Sequence, residues 1–565
     1  MNHIRLVCIG MLLISIALVG CSRTGYRTTR TAEGKVGMVV SAHPLASEVG
    51  KDILTAGGNA TDAAIAVQFA LAVVCPRAGN LGGGGFWLHA PAGDRARALD
   101  YREKAPAAAA RDMYLDKDGE VVPKASTFGP LAAGIPGTVD GMWTAYTFAS
   151  TLKDWGSLVR PAANLARKGF KITQTEADRL NRYREDFTQF AKDSPFYKAG
   201  EWQEGDLLIQ PVLAATLDSI AVNGPAYFYD SGFAERLVEE LRELGGIWSA
   251  QDLSDYQSRW RDPISFDYRG YQVHSMPPPS SGGVVLAQMM QLLEAYDLKA
   301  LREQDEVAYY HLLIESMRRA YEDRASYLGD PDQVQIPIDS LLDADYLAAK
   351  WQSFTPDSAS RSKASMQAIG PDVYETTHTS VVDGTGNAVA VTTTLNGNYG
   401  SKVWSEVSGF FLNNEMDDFS AKPGVPNMFG LVGGEANAIA PGKRMLSSMT
   451  PTIVQQKGET VLALGSPGGS TIITAVMQVM LNYLDHGLSL KQAIDEPRIH
   501  HQWLPDVAVY ERGKFDEELL EALKAKGHSL RDATSIGRVK AVANEAQVRI
   551  GAGDARNPDD DASGY

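Results

Sequence analysis

The sequence has little of what several common classes of protein require. Basic residues number 53 against 69 acidic ones, a formal net charge of −16. The attraction to phosphate that a nucleic-acid-binding protein needs is therefore missing, and we expect no nucleic-acid partner. With 44% hydrophobic and 22% charged residues, the composition excludes a disordered chain and is sufficient for a large core.

No apolar run reaches the length of about 20 residues that a membrane-spanning helix needs. The longest, Leu6 to Val19, follows Arg5 and has the length of a signal-peptide core. It ends in Leu18-Val19-Gly20-Cys21, which resembles a bacterial lipobox, and Ser22 is typical of sorting to the outer membrane. We expect residues 1–21 to be a lipoprotein signal peptide, with Cys21 lipidated and the protein exported and anchored on the periplasmic side. The alternative is a plain signal peptide with a chance cysteine.

Cysteine is scarce, with three residues in the chain. If Cys8 lies in the leader and Cys21 carries lipid, Cys75 alone remains, and no internal disulfide is possible. Its apolar surroundings favour a buried, inert thiol over a nucleophile. Residues 22–35, rich in Thr, Arg and Gly, are predicted to be a tether between the anchor and the folded part.

From residue 36 onward, short β-rich runs alternate with amphipathic segments, which indicates a chain of mixed helices and sheet. Periodicity predicts helices over 46–56, 60–74, 162–169, 210–222, 233–244 and 307–328. After about residue 374 the pattern predicts mainly strands, over 377–382, 388–395, 452–454 and 461–464, followed by a helix over 471–485. No repeat of fixed period is present, so solenoids and propellers are excluded.

The glycine clusters match neither the dinucleotide-binding nor the phosphate-loop spacing, and no G-x-S-x-G elbow of a serine hydrolase is present. Gly468 and Gly469 come just before a predicted helix, where backbone N–H groups can bind an anion or a developing oxyanion. Taken alone, this pair is better explained as a tight turn. His500 and His501 lack a metal-binding pattern and are predicted to be structural, so we expect no metal and no cofactor.

Two β-rich segments, 376–382 and 388–395, flank the sequence Asp383-Gly384-Thr385-Gly386-Asn387, which is typical of a hairpin turn. A three-residue loop pairs residues whose numbers sum to 770, so Thr376 faces Thr394. Side chains of such pairs lie close enough for a hydroxyl-to-hydroxyl hydrogen bond. From composition alone, an ordinary threonine-rich strand pair is the preferred explanation of these threonines.

Several further segments occur in a particular order along residues 36–565: 56–64, 82–86, 100–103, 277–283, 376–378, 412–419, 446–449 and 465–469. Together they strongly resemble the bacterial γ-glutamyltranspeptidases, although each alone is a weak signal. The resemblance implies an α+β fold, the four-layer αββα sandwich of the N-terminal-nucleophile hydrolases. It also implies a precursor that cleaves itself between Glu375 and Thr376. The large subunit 36–375 and the small subunit 376–565 would then remain together as a heterodimer.

The resemblance also implies the roles of individual residues. Thr376 would be the nucleophile, with Thr394 hydrogen-bonded to its hydroxyl and the N–H groups of Gly468 and Gly469 forming the oxyanion hole. A threonine hydroxyl needs a base, and cleavage frees an α-amino group on the same residue that can serve as one. The α-carboxylate of the substrate would bind Arg102, Ser447 and Ser448, and its α-ammonium group would bind Asn396, Glu415 and Asp418.

The expected activity is that of a γ-glutamyltransferase and glutathione hydrolase. Glutathione or another γ-glutamyl compound would be the donor, and water, an amino acid or a dipeptide the acceptor. One alternative is a cephalosporin or glutaryl acylase on the same scaffold, and retention of the ammonium-binding residues argues against it. A second alternative is an unprocessed binding lipoprotein, and retention of Thr376 and Thr394 argues against that.

The segment 423–445, called the lid below, resembles the loop that covers the glutamyl pocket in bacterial members. Many of these have a tyrosine where Phe429 stands, and its hydroxyl bonds the asparagine equivalent to Asn396. Phe429 lacks that hydroxyl. Asp554 and Arg556 lie where the family has an Asp-Pro-Arg segment and are expected to support the small subunit.

Overall fold

The computed structural model describes residues 24–362, 376–545 and 548–565. Their strands, in chain order, are β1 Thr31–Gly34, β2 Met38–Ser41, β3 Gly84–Ala90, β4 Arg97–Tyr101, β5 Phe170–Lys171, β6 Leu207–Leu208, β7 Arg259–Arg261, β8 Ile264–Tyr268, β9 Tyr271–Ser275, β10 Thr377–Val382, β11 Ala388–Thr394, β12 Thr452–Gln456, β13 Glu459–Gly465, β14 Ile499–His500, β15 Ala508–Glu511, β16 Leu530–Ala533, β17 Lys540–Glu545, β18 Val548–Ala552 and β19 Asp561–Gly564. Two seven-stranded sheets result, ordered β1-β18-β17-β13-β12-β9-β8 and β19-β2-β10-β11-β3-β4-β7. Both sheets combine strands from before and after residue 376.

The helices are α1 Pro44–Thr55, α2 Ala60–Val74, α3 Thr138–Ala149, α4 Trp155–Lys168, α5 Gln174–Arg182, α6 Phe187–Phe190, α7 Pro211–Asn223, α8 Pro225–Tyr229, α9 Gly232–Glu243, α10 Ala250–Ser254, α11 Gly282–Glu294, α12 Leu298–Gln304, α13 Glu306–Tyr327, α14 Ile338–Leu341, α15 Ala344–Trp351, α16 Ile472–Leu484, α17 Leu490–Asp495 and α18 Glu517–Ala525. In the part of the chain that the structure describes, no helix combines the length and apolar character needed to cross a membrane.

The two large sheets pack face to face, with β10 of one sheet against β13 and β17 of the other. Helices α1, α2 and α3 cover the outer face of the sheet that contains β10, and α11 and α16 cover the outer face of the other. Strands β10 and β11 are buried along their whole length because they have a layer on each side. The four layers form an αββα sandwich, and the predicted fold class is confirmed.

Helix α2 shows how the sequence sets one of the covering layers. Apart from Thr61, Asp62 and Gln68 its residues are apolar, and all of them are buried, as is typical of a helix inside a large domain. Asn59 caps its first turn, and the Asp62 side chain accepts in return from the Asn59 N–H. The helix spans the residues that the sequence predicts. Cys75 follows it and is buried, as expected.

The hairpin of β10 and β11 has the predicted register. Thr377 pairs with Thr393 and Val382 with Ala388, so paired numbers sum to 770 along the hairpin. The turn is closed by a bond from the Asp383 N–H to the Asn387 carbonyl oxygen, 3.0 Å, and Gly386 adopts a φ of 89°. The register prediction is confirmed, and it brings the last residue of β11 beside residue 376.

The prediction of a tether over residues 22–35 is wrong for its second half. Residues 31–34 form the edge strand β1, which pairs antiparallel with β18 near the C-terminus. The Arg30 carbonyl oxygen also accepts from the Gly553 N–H at 2.8 Å. The unpaired edge of β18 provides partners for this polar segment, which composition alone does not reveal. The predicted signal peptide, Cys21 and Glu375 lie outside the described residues.

Asp554 and Arg556 belong to a buried ion-pair network behind β14 and β15. Asp554 accepts from Arg498 at 2.9 Å and from Arg556 at 3.0 Å, and Arg556 also contacts Glu511. Burial of Arg498 and Asp554 is complete, so each charge needs the other. All of these residues follow residue 376 in the chain.

Candidate active site

Thr376 lies immediately before β10, at the open end of the central hairpin. Its Oγ1 donates to the Thr394 Oγ1 at 3.3 Å, and the Thr394 Oγ1 also accepts from the Asn396 N–H at 2.7 Å. Both threonines are nearly buried, with 5% and 2% of their surface exposed. The two hydroxyl groups that the strand register predicts to be neighbours are therefore in contact.

Gly468 and Gly469 form the turn between β13 and α16. Both adopt positive φ, 143° and 54°, which is strained for residues with a side chain. The Thr471 N–H and hydroxyl both bond the Gly468 carbonyl oxygen, at 3.0 and 2.8 Å, and fix the turn. A Cβ atom on Gly469 would lie 2.6 Å from the ring of Phe429. The turn thus needs glycine for its conformation and for the close approach of the lid.

Arg102 is fully buried after β4 and is surrounded by carboxylates. Its guanidinium contacts Glu415 and Asp418 directly, lies 3.4 Å from Glu103, and donates through Nε to the Met445 carbonyl oxygen at 3.2 Å. The family resemblance implies that Arg102 binds one end of a zwitterion and that the two carboxylates bind the other end. The structure places these opposite charges in contact, so a zwitterionic ligand would meet both signs of charge at one point.

In this cluster Glu103 and Glu415 are buried, and the Asp418 side chain keeps 11% of its surface exposed. Burial raises the pKa of Glu415 well above its usual range, and Glu103 beside it raises it further, although the Arg102 charge opposes both effects. Burial also raises the pKa of Asp418. Since a buried carboxylate without enough positive charge takes up a proton, an added ammonium group would stabilise the ionised forms.

The remaining predicted residues complete the cleft. Asn396 has a φ of 71° and donates through Nδ2 to the Asn414 carbonyl oxygen at 3.0 Å. The Ser447 Oγ accepts from the Met449 N–H at 3.1 Å, and the Ser448 Oγ accepts from Arg324 at 3.2 Å.

A cleft of about 270 Å³ collects these groups. Nine of the ten predicted catalytic and substrate-binding residues line it: Arg102, Thr376, Thr394, Asn396, Glu415, Asp418, Ser447, Ser448 and Gly469. Gly468 is the neighbour of Gly469 and does not itself line the cleft. The cleft also has an apolar wall, formed by Phe429, Leu431, Met449 and Ile472. The resemblance places Phe429 in a loop over the pocket, but sequence reasoning did not identify the wall as a whole.

Sequence reasoning also missed Arg324, the buried arginine in the last turn of α13 that holds Ser448. It donates through Nε to the Ser281 Oγ at 3.0 Å as well. A basic residue at a helix C-terminus is ordinary, so its sequence position carried no signal. Its contacts place a second positive charge behind the cleft.

One group among the described residues has a metal-like arrangement, and it lies outside the cleft lining: His311, Glu315 and His528. The two imidazoles bond each other at 2.7 Å, and Glu315 is paired with Arg318 and Arg319. The carboxylate charge is thus already balanced, and these residues do not call for a metal. His500 and His501 bond side chains of the protein, in agreement with their structural interpretation.

The tip of the lid is a tight turn over the cleft. The Asn427 Oδ1 accepts from the Phe429 and Leu431 N–H groups at 3.0 and 3.1 Å. The Met428 N–H donates to the Asp417 Oδ2 at 3.0 Å, and the Asn427 Nδ2 donates to the Asp418 Oδ1 at 3.2 Å. Phe429 packs by its ring on Gly469, and the Asn396 Nδ2 contacts the lid through the Met428 Sδ at 3.7 Å. The lid is therefore held by contacts other than the tyrosine bond of the family.

Asp417 makes the lid anchor sensitive to pH. Burial raises its pKa from 3.8 to about 7. Between these values the folded state binds more protons than the unfolded state, so the free energy of unfolding falls as pH rises through this window. Replacing Asp417 by Asn removes the titration, and the free energy of unfolding of the variant relative to wild type should rise by about 4 kcal/mol between pH 4 and pH 8. Denaturant unfolding at a series of pH values measures it. If the difference in free energy of unfolding between the variant and wild type were the same at all pH values, the raised pKa of Asp417 would be contradicted.

Comparison with known proteins agrees with this geometry. The family model described as Gamma-glutamyltranspeptidase matches residues 46–564. A glutathione hydrolase proenzyme of Pseudomonas sp. (strain A14) is 47% identical over 510 residues, covering 90% of this chain and 88% of that protein. One from Escherichia coli (strain K12) is 45% identical over 537 residues, covering 94% and 92%. The crystal structure of a cephalosporin acylase from Bacillus halodurans matches with a TM-score of 0.82 at 25% identity, covering 96% of this chain and 98% of that one. The chain therefore belongs to the γ-glutamyltranspeptidase family.

Proposed function

We propose that the protein cleaves itself before Thr376 and then transfers the γ-glutamyl group of glutathione and related compounds to water, amino acids or short peptides. One observation carries the proposal: the hydroxyl pair of Thr376 and Thr394 lies in the same cleft as the buried cluster of Arg102, Glu415 and Asp418. This reaction requires a nucleophile and a site that binds both the carboxylate and the ammonium group of an α-amino acid. The similarity to glutathione hydrolase proenzymes supports the choice of donor.

In the proposed reaction, cleavage frees the α-amino group of Thr376, whose ordinary pKa of about 7.7 lets it accept the hydroxyl proton near neutral pH. The Thr376 Oγ1 attacks the γ-carbonyl carbon of the donor, and the N–H groups of Gly468 and Gly469 stabilise the oxyanion. The intermediate then expels the amine, which takes the proton from the α-ammonium group, and a γ-glutamyl ester remains on Thr376. Attack by water or by an amino group releases the product and regenerates the hydroxyl.

Recognition of the donor depends on its α-amino acid end. A planar guanidinium suits a carboxylate, so Arg102 would bind the α-carboxylate with help from Ser447 and Ser448. Asn396, Glu415 and Asp418 would accept from the α-ammonium group. Because the leaving group has no assigned contact, the proposal accounts for donors and acceptors of varied structure.

The acylase alternative remains the nearest rival because a cephalosporin acylase has the same fold. A glutaryl group carries a carboxylate but no α-ammonium group, so its binding at Arg102 would add a negative charge and no positive charge beside Glu415 and Asp418. Two carboxylates on one guanidinium favour a substrate that brings a further positive charge.

We further propose that the mature protein is a lipid-anchored heterodimer on the periplasmic side of the outer membrane. The lipobox-like sequence ending at Cys21 supports the anchor. Both sheets contain strands from each side of residue 376, which supports continued association of the two subunits after cleavage.

Mass spectrometry of purified protein tests the self-cleavage. Wild type should give a fragment of residues 376–565 beginning with threonine. Thr376→Ala should remain whole, because it lacks the hydroxyl, whereas Thr376→Ser should still be cleaved, because it keeps one. A wild-type chain that stays whole over varied pH and time would leave the protein without its catalytic group and favour a binding function.

A second experiment distinguishes specificity for γ-glutamyl donors from specificity for the glutaryl donors of an acylase. Asp418→Asn removes a charged acceptor for the ammonium group, so kcat/KM for a γ-glutamyl anilide should fall about 50-fold, as for a lost hydrogen bond to a charge. A glutaryl anilide should lose little. Glu435→Gln, which changes an exposed acid of the lid, is the control. An equal fall in kcat/KM with both anilides would mean that Asp418 acts through Arg102 and does not bind the ammonium group.

A further inference from the structure

The lid tip has a further contact besides those with Asp417 and Asp418. This contact is with the segment that follows β14, residues 501–506. The Gln502 Nε2 donates to the Phe429 carbonyl oxygen at 3.2 Å. This bond reaches the backbone of the one lid residue whose ring packs on Gly469.

The neighbours of Gln502 determine how its amide is oriented. Its Nε2 faces two carbonyl oxygens, those of Phe429 at 3.2 Å and Leu504 at 3.4 Å, and these can only accept. Its Oε1 therefore faces the His500 Nε2 at 2.9 Å and accepts from it. Since a neutral imidazole has one N–H, the His500 Nδ1 must accept. Its donor is the Thr474 hydroxyl at 2.9 Å, whose one proton is then directed to His500 rather than to the Thr471 carbonyl oxygen at 3.1 Å.

The neutral state of His500 follows from its surroundings. The ring is buried, and burial lowers its pKa to about 3. Thr474 stands in the first turn of α16, the helix that starts after the Gly468-Gly469 turn. A continuous set of hydrogen bonds therefore runs from the lid backbone through Gln502 and His500 to the helix behind that turn.

We propose that Gln502 is a positioning residue that holds the lid closed over the donor. It secures the Phe429 backbone in place of the side-chain hydroxyl that Phe429 lacks, and it ties the lid to α16. The proposal rests on the proposed function, because it explains how the same cleft retains a γ-glutamyl donor. Loss of the latch would leave the lid tip attached on the side of Asp417 and Asp418 and weaken donor binding more than chemistry.

The variant Gln502→Glu tests the latch with little change in shape. A carboxylate still accepts from the His500 Nε2–H, but it cannot donate and it repels the two carbonyl oxygens. Gln502→Met keeps the length and removes the hydrogen bonds without adding charge. The matched control is Gln333→Glu, because the exposed Gln333 makes the same kind of bond, 3.1 Å to the Pro441 carbonyl oxygen, at the other end of the lid.

Two readouts are measured on the full mature protein. With a γ-glutamyl anilide, KM should rise about tenfold in both Gln502 variants, as for a lost hydrogen bond, while kcat changes less than about twofold. Limited proteolysis should cut within residues 423–445 faster than in wild type. Gln333→Glu should behave as wild type in both.

The proposal is overturned if KM and the cutting rate stay at wild-type values, or if Gln333→Glu gives the same changes. It is also overturned if kcat falls at constant KM or if self-cleavage is lost, because Gln502 would then support the fold or the chemistry. Proteolysis does not require turnover. A wild-type protein that turns over no γ-glutamyl donor would therefore refute the proposed function, while faster cutting in the variants would still identify the latch.

Discussion

The active cleft depends on the contact between two strands of different sheets. On β10, the imidazole of His378 bonds Thr392 and Ser380 at 2.8 and 3.0 Å, and burial keeps its pKa well below the usual range, so it is neutral. A Cβ atom on Gly465, at the end of β13, would lie 2.3 Å from that ring. Because glycine allows this approach, the residue two before His378, Thr376, lies beside the turn that follows Gly465.

The second requirement is the burial of charge. Arg102 is fully buried among carboxylates, and burial raises the pKa values of Glu415 and Asp418. Buried charges are costly unless they are paired. The attraction between Arg102 and its carboxylates therefore holds the cluster together, and the cluster attracts a ligand that carries both charges. The lid is fastened to this cluster through Asp417 and Asp418, which links closure of the cleft to the charges that would bind the substrate.

The sequence predicts the parts of this arrangement that depend on local patterns and motifs. It does not predict the parts that depend on contacts between distant residues. The hairpin register follows from a local turn, and it predicts the contact of Thr376 with Thr394. The motif resemblance predicts which residues meet in the cleft. Contacts made across the fold leave no local pattern: the pairing of Arg324 with Ser448, the bond of Gln502 to the lid, and the use of residues 31–34 as an edge strand all depend on distant partners.

The central claim is that one atom, the Thr376 Oγ1, is required for self-cleavage of the precursor and then carries the γ-glutamyl group as an ester. The most direct measurement is intact-mass analysis of mature protein quenched in acid during turnover of a γ-glutamyl donor, followed by peptide mapping. The account predicts a mass increase of one glutamyl group on the fragment that begins at Thr376, located on that residue and lost on addition of an acceptor. A glutamyl group on another residue, or turnover with no such adduct under any quench time, would contradict it.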